Sequence, residues 1–244
     1  MRVALVTGGA TGIGAATVAA LAEAKITVAL QYSSSENEAK QISEQLNSKG
    51  LKVEIFRADL SQKDSIDKLV ASVKAKLGDI DILINNAGLM SDASIIEMSD
   101  ELWDQALNIN LTAAFKLIRA CAPSMVSKKW GRIINISSQV ALVGSTNHAH
   151  YAAAKAGLLG LTYSAAKEYG ASGVTVNAVL PGRIQTNMIA QRSKGRLDEW
   201  LAQTPLNRLG KPEEVAGMIN FLASEMASYV TGASINVNGG LVMG

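Results

Sequence analysis

The sequence predicts an α/β fold in which a parallel sheet lies between two layers of helices. Short apolar runs rich in β-branched residues alternate with longer stretches of helical period. Runs such as Val3-Ala4-Leu5-Val6 and Ile82-Leu83-Ile84 have no polar face, so strands made from them must be covered on both sides. A helix after almost every strand supplies that cover.

Taken in order, Arg2–Thr7 reads as a strand and Gly12–Ala24 as a helix that begins on glycine. Thr27–Tyr32 is a second strand, Glu36–Ser48 a helix, and Lys52–Ala58 a third strand. Ser61 is placed to cap the next helix, with Asp64 three residues on and Ile66, Leu69, Val70, Val73 and Leu77 along one face. Asp81–Asn85 is a fourth strand, Asp100–Ser127 one long helix, and Arg132–Ser137 a fifth strand. His150–Tyr169 is helical, Val174–Leu180 a sixth strand, Glu213–Ala223 a helix started by Pro212, and Ser234–Val237 a last strand. Right-handed crossovers make this a doubly wound, Rossmann-type sheet of about seven strands in a three-layer α/β/α sandwich. No repeat, low-complexity tract or Pro-rich linker divides residues 1–244, which are expected to form one domain. Residues 183–210 are the least regular stretch, between a strand end and the last helix, and are the expected substrate lid.

Bulk properties narrow the function. Apolar residues make up 48% and charged residues 18%, which suits a packed globule and not a disordered chain. A formal net charge of +2, with both signs scattered, argues against nucleic acid or an anionic membrane as the main partner. The single cysteine, Cys121, has no partner for an internal disulfide. No apolar run is long enough to cross a bilayer, and no basic-then-apolar leader precedes the first strand. A cytoplasmic location is the expectation.

Thr7-Gly8-Gly9-Ala10-Thr11-Gly12-Ile13-Gly14 lies where the first strand turns into the first helix. Glycines there permit positive φ and let backbone approach a pyrophosphate, while the helix N-terminus offers free N–H groups to the anion. Gly8, Ala10, Thr11, Gly12, Ile13 and Gly14 are therefore candidate cofactor contacts. The spacing is Gly-x-x-x-Gly-x-Gly, not Gly-x-Gly-x-x-Gly, so a plain tight turn is the competing reading. The second strand ends Gln31-Tyr32-Ser33-Ser34-Ser35, with no acid before Glu36 to hold ribose hydroxyls. Ser33 and Ser34 can donate to a phosphate, which favours NADP(H). NAD(H) stays open, because no arginine stands there and the serines can equally cap the next helix.

Tyr151 and Lys155 are four apart, hence on one face of a helix, with alanines between them. A free phenol has a pKa of about 10, and a fixed cation nearby lowers it by roughly one to three pH units. So tuned, Tyr151 can exchange a proton with a carbonyl oxygen as hydride arrives. Ser138 ends the fifth strand, on the edge where sites form in parallel sheets, and its hydroxyl can polarise the same oxygen. Taken alone, Tyr-x-x-x-Lys is a pattern many surface helices carry by chance; its order after the glycine loop and Ser138 gives it weight.

Together these motifs resemble the short-chain dehydrogenase/reductase family over essentially the whole chain. The matching stretches are Thr7-Gly8-x-x-x-Gly12-Ile13-Gly14, Asn85-Asn86-Ala87-Gly88, Asn110, Ser138, Tyr151-x-x-x-Lys155 and Pro181-Gly182-x-x-x-Thr186. The resemblance implies Asn110, Ser138, Tyr151 and Lys155 as catalytic, with Asn110 holding a water that relays protons to Lys155. It implies Asp59 and Leu60 at the adenine, and Asn86, Ala87 and Gly88 along the adenosine ribose region. Pro181, Gly182, Ile184 and Thr186 are implied in cofactor binding, the last two at the carboxamide. Tyr151 and Lys155 would touch the cofactor too, Lys155 through the nicotinamide ribose. Arg132 to Ser138, Tyr151 to Gly157 and the ending Val237-Asn238-Gly239-Gly240 are similar to the 3-oxoacyl-(acyl-carrier-protein) reductases of that family. That implies an acyl-thioester substrate, an acidic carrier protein docked on Lys128, Lys129 and Arg132, and a homotetramer built on the Asn110 helix, the Tyr151 helix and the final strand. A second basic docking position of those enzymes is Ser172 here. Two other readings stand beside this one: a sugar, diketone or secondary-alcohol dehydrogenase of the same family, and a dinucleotide sensor without chemistry.

His148 and His150, with no carboxylate or thiol beside them in the sequence, are assigned to a loop or substrate rim and not to a metal. Cys121 reads as buried packing, and Trp103, Trp130 and Trp200 as core or interface residues, with the lining of a pocket as the other reading.

Overall fold

The computed structural model describes residues 2–192 and 195–243. Ser193 and Lys194, inside the expected lid, lie outside the described residues. Strand β1 (Val3–Val6) leads into helix α1 (Gly12–Glu23), β2 (Thr27–Tyr32) into α2 (Glu36–Asn47), and β3 (Val53–Arg57) into α3 (Ser65–Leu77). After β4 (Ile82–Asn85) come α4 (Asp100–Leu107), a π-helical turn (Asn108–Thr112) and α5 (Ala113–Ser127). β5 (Gly131–Ile136) is followed by the short α6 (Val140–Val143) and the long α7 (Ala149–Tyr169). β6 (Val174–Pro181) runs into α8 (Asn187–Arg192), α9 (Leu197–Ala202) and α10 (Pro212–Ala223), and then comes β7 (Ser234–Val237).

All seven strands are parallel, in the order β3-β2-β1-β4-β5-β6-β7. The chain reverses its direction of travel across the sheet between β1 and β4, which opens a crevice at their carboxyl ends. One apolar core packs α1, α2 and α10 on one face through residues such as Val18, Leu21, Ile84 and Ile219. A second packs α3, α5 and α7 on the other through Leu5, Val73, Leu83, Leu117 and Ala165. The continuously apolar strands are thus covered on both sides, as their composition requires.

Two elements depart from the sequence reading. The helix expected to start from Ser61 begins at Ser65, because Asp59 captures Ser61: its Oδ1 accepts the Ser61 N–H at 3.0 Å and hydroxyl at 2.7 Å. That local turn competes with helix initiation. The helix expected over Asp100–Ser127 is interrupted by the π-turn at Asn108–Thr112, around the buried Asn110. Such turns widen a helix locally and often lie beside functional groups. Among the described residues no helix is long and apolar enough to cross a membrane.

Candidate active site

The first wall of the site is the turn from β1 to α1. Gly8 adopts φ of +61°, and a Cβ at Gly14 would collide with the Gly8 carbonyl, so this tight path needs glycine. Two buried side chains brace it. Thr7 Oγ1 accepts the N–H groups of Asn86 and Ala87, each at 3.0 Å, while Asn86 Nδ2 donates to the carbonyls of Thr7 at 2.9 Å and Gly8 at 3.1 Å. Gln31 accepts the Gly8 N–H at 2.9 Å and donates to the Ala58 carbonyl at 2.7 Å, joining the ends of three strands. No side chain caps α1, and its first turn holds no acid, so its N-terminal N–H groups remain for an anion.

The opposite wall is β5 with α7. Lys155 is 3% exposed and gripped at both ends: its Nζ donates to the Ile136 carbonyl at 2.8 Å, and its own carbonyl accepts the Ser137 hydroxyl at 2.8 Å. Burial pushes the ammonium down to about 8. Lys155 Nζ lies 5.5 Å from the centre of the Tyr151 ring. Ser138 Oγ accepts the Val140 N–H at 3.3 Å, which leaves its own hydrogen for another acceptor. Two turns further along α7, Asn135 Nδ2 donates to Thr162 Oγ1 at 2.9 Å and Asn85 donates to Asn135 at 2.8 Å, a second tie between helix and sheet.

Asn110 reaches this centre from the π-turn. Its Nδ2 donates to the carbonyls of Leu89 at 2.8 Å and Ala106 at 2.9 Å, and its Oδ1 accepts the Leu89 N–H at 3.1 Å. Both amide hydrogens are therefore spent, one on the loop after β4 and the other on the last turn of α4. Gly88 separates Asn110 from Lys155: a Cβ there would stand 2.9 Å from Asn110 Oδ1 and 3.5 Å from Lys155 Nζ.

Between the walls runs one cleft of about 940 Å³. It brings together Gly8, Thr11, Gly12, Ile13, Asn86, Ala87, Gly88, Ser138, Tyr151, Lys155, Pro181, Gly182, Ile184 and Thr186. Of the remaining predicted contacts, Ser33, Ser34 and Asp59 are exposed on the β2 and β3 side. Ala10 and Leu60 are buried in the two cores, so each has mainly backbone to offer a ligand. An elongated cofactor with a charged middle fits this layout: uncapped N–H groups and glycine backbone at the centre, hydroxyls at one end, and a proton-handling wall at the other.

Several side chains escaped the sequence reading. Thr7, Gln31 and Ser137 shape the site through contacts across strands, which no local pattern reports. His148, described above as lacking a carboxylate neighbour, has one: its Nε2 meets Asp92 Oδ1 at 2.8 Å, and both line the cleft. His150 is fully buried against Ser91, and burial lowers its pKa. Among the described residues no three His, Cys, Asp or Glu side chains come together as a metal cluster. Trp200, for which the sequence leaves core burial and pocket lining both open, is 9% exposed and lines the cleft. The expected docking role of Arg132 is a correction. It is 2% exposed, lies 4.5 Å from the Trp130 ring and bonds the Ser224 carbonyl and Glu225, so it is a structural brace closed to a partner. Lys128 pairs with Asp81 at 2.8 Å.

Comparison with known proteins agrees with this geometry. Residues 8–242 match the family described as enoyl-(acyl carrier protein) reductase. The chain is 38% identical over 240 residues to a 3-oxoacyl-(acyl-carrier-protein) reductase FabG of Staphylococcus epidermidis, covering 98% of both chains. It is 41% identical over 244 residues to the protein of that name from Salmonella typhimurium, covering 99% of this chain and 98% of the other. Among solved structures, a blue fluorescent protein from a metagenomic library in complex with NADPH superposes with a TM-score of 0.94 at 38% identity, over 99% of this chain and 98% of that one. The chain belongs to the short-chain dehydrogenase/reductase family of NAD(P)-dependent oxidoreductases.

Proposed function

We propose that the protein reduces the 3-oxo group of an acyl thioester to the alcohol with NADPH, Tyr151 giving the proton. The observation that carries this reading is the meeting of Ser138, Tyr151 and Lys155 on one wall of a cleft whose other wall is the glycine turn. The FabG relatives, named for 3-oxoacyl reduction, and the NADPH-bound neighbour support the substrate and the cofactor.

When bound, the nicotinamide supplies the hydride. The uncapped α1 N-terminus and the Gly8–Ile13 backbone would hold the cofactor's pyrophosphate, and Ile184 and Thr186, which line the same cleft, would hold its carboxamide. Ser138 donates its free hydrogen to the substrate oxygen and fixes it beside Tyr151. Lys155 remains charged below about pH 8 and lowers the cost of a developing phenolate. As the oxygen gains charge, the Tyr151 O–H bond breaks and its proton passes to that oxygen. Replacement of the proton would run through Lys155 and a water held by the Asn110 backbone, since both amide hydrogens of the Asn110 side chain are committed to Leu89 and Ala106. Residues 183–210 act as the substrate lid of a single catalytic domain, and a homotetramer is the working assembly.

Tyr151→Phe tests the proposal. It should cut turnover of a 3-oxoacyl thioester about a thousandfold while NADPH affinity stays within about twofold. Full activity would remove Tyr151 as the acid. Faster turnover of aldoses or diketones than of 3-oxoacyl thioesters would replace the substrate class.

A further inference from the structure

The adenosine end of the site shows an imbalance of charge. A 2′-phosphate there would meet the exposed hydroxyls of Ser33 and Ser34, and neither Gln31–Ser35 nor Thr7–Gly14 contains a lysine or arginine. Hydroxyls alone discriminate poorly between a phosphate and a ribose hydroxyl, since both are acceptors. The adjacent strand supplies what the sequence around β2 lacks.

β2 and β3 run parallel with Tyr32 opposite Arg57, and the Ala58 N–H donates to the Tyr32 carbonyl at 2.9 Å. Arg57 therefore stands at the carboxyl edge of the sheet, beside the start of the Ser33–Ser35 turn. Strand alternation fixes its face. Val53 and Ile55 pack into the core under α1 and α2, whereas Phe56 and Ala58 pack into the opposite core. Arg57 is thus on the face that carries the glycine turn and the start of α2. Strands lie about 4.8 Å apart, less than the length of an arginine side chain.

Two further observations concern its availability. Arg57 is exposed, and no hydrogen bond or salt bridge engages it among the described residues. The register of β3 on β2, with Arg57 opposite Tyr32, sets it beside the start of the Ser33–Ser35 turn, and its charge contributes in the same direction as Lys40 to the lowered pKa of Glu36. Glu36 itself is tied to Lys40 at 2.7 Å, the larger cause of its lowered pKa, so the acid is already neutralised by another cation.

We infer that Arg57 is the residue that reads the 2′-phosphate and gives this chain its preference for NADPH over NADH. The inference rests on the cofactor reading above. A guanidinium presents paired N–H donors to phosphate oxygens, while a ribose hydroxyl offers it no charge to meet.

Calorimetric titration of the full chain with NADPH and with NADH, without substrate, tests this independently of turnover. Arg57→Gln should weaken NADPH about tenfold and leave NADH unchanged, and Arg57→Lys should fall between. Adenosine 2′,5′-bisphosphate should lose affinity as NADPH does, while 5′-AMP should not. Added KCl should weaken NADPH more steeply in the parent than in Arg57→Gln. Unchanged NADPH binding in Arg57→Gln, or parallel losses for both cofactors, would overturn the role of Arg57. A parent chain that binds NADH more tightly than NADPH would instead overturn the cofactor reading itself.

Discussion

The β5–α7 wall and the segment after β6 face each other across one cleft, yet they are held by different kinds of contact. In the wall, Lys155 is locked to β5 by its ammonium and its carbonyl, and the Asn135–Thr162 bond ties the same helix again lower down. In the segment opposite, most described residues are exposed, and long side chains do the holding. Arg183 donates to the Trp200 carbonyl at 2.7 Å and to Gln203, and Arg183 and Arg196 lie 4.9 and 5.6 Å from the Trp200 ring. Contacts of the first kind preorganise a reacting geometry, and contacts of the second kind reform at low cost when a ligand enters. The comparison teaches that rate should reside in the wall and substrate choice in the segment after β6.

The sharpest way to break that division is Lys155→Met. Reduction should slow about a thousandfold. Stability should move the other way. Burial brings the folded Lys155 pKa from an ordinary 10.5 down to about 8, so the unfolded chain binds more protons between those values. The cost of the buried charge is fully present below pH 8 and disappears as pH rises through the window to 10.5. Lys155→Met should therefore be more stable than the parent at pH 7 by about 1–3 kcal/mol in denaturant unfolding, and the gap should close toward pH 10. A variant no more stable at pH 7 would contradict this linkage.

Gly88→Ala should come next. Its methyl group would press on Asn110 Oδ1 while only touching the Lys155 ammonium, so the loop or the Asn110 side chain must move. A loss of about a hundredfold in kcat and of roughly 1–3 kcal/mol in stability is expected, read by steady-state rates and denaturant unfolding. Ser137→Ala leaves the Asn135–Thr162 tie in place, so the fold should survive. About tenfold in kcat should be lost, with the basic limb of the pH profile displaced and restored by Ser137→Thr. A pH profile superimposable on the parent's would reduce the Ser137 bond to packing. Arg183→Met should have the smallest effect: about threefold in substrate KM with kcat preserved, because only the attachment of α9 is loosened.

Legibility in the sequence followed distance along the chain. The Tyr151–Lys155 pair and the glycine turn were readable because one helical turn, or one strand-turn-helix unit, contains everything they need. The parallel sheet and its two covered faces were readable from apolar runs such as Ile82-Leu83-Ile84, whereas the strand order appears only in the fold. Arg132 was not, because its partners at Ser224 and Glu225 lie on a distant part of the chain. Gln31, Ser137 and Arg57 acquire their surroundings only when neighbouring strands settle into register. Ser61 was misread because two local bonds of comparable strength, a helix cap and a turn at Asp59, compete for one hydroxyl. The π-turn around Asn110 left no mark on an otherwise continuous helical pattern.

Cys121 has a practical consequence. It is the chain's single cysteine, 2% exposed inside α5, and burial pushes its thiol up to about 12. Thiolate is the reactive form, so mild alkylating dyes and oxidants should pass the folded protein by. One cysteine introduced at an exposed position of α9 such as Leu197 would then be the sole labelling point. The unaltered background is a ready host for measuring by fluorescence how the segment after β6 sits against the Tyr151 wall when ligands bind.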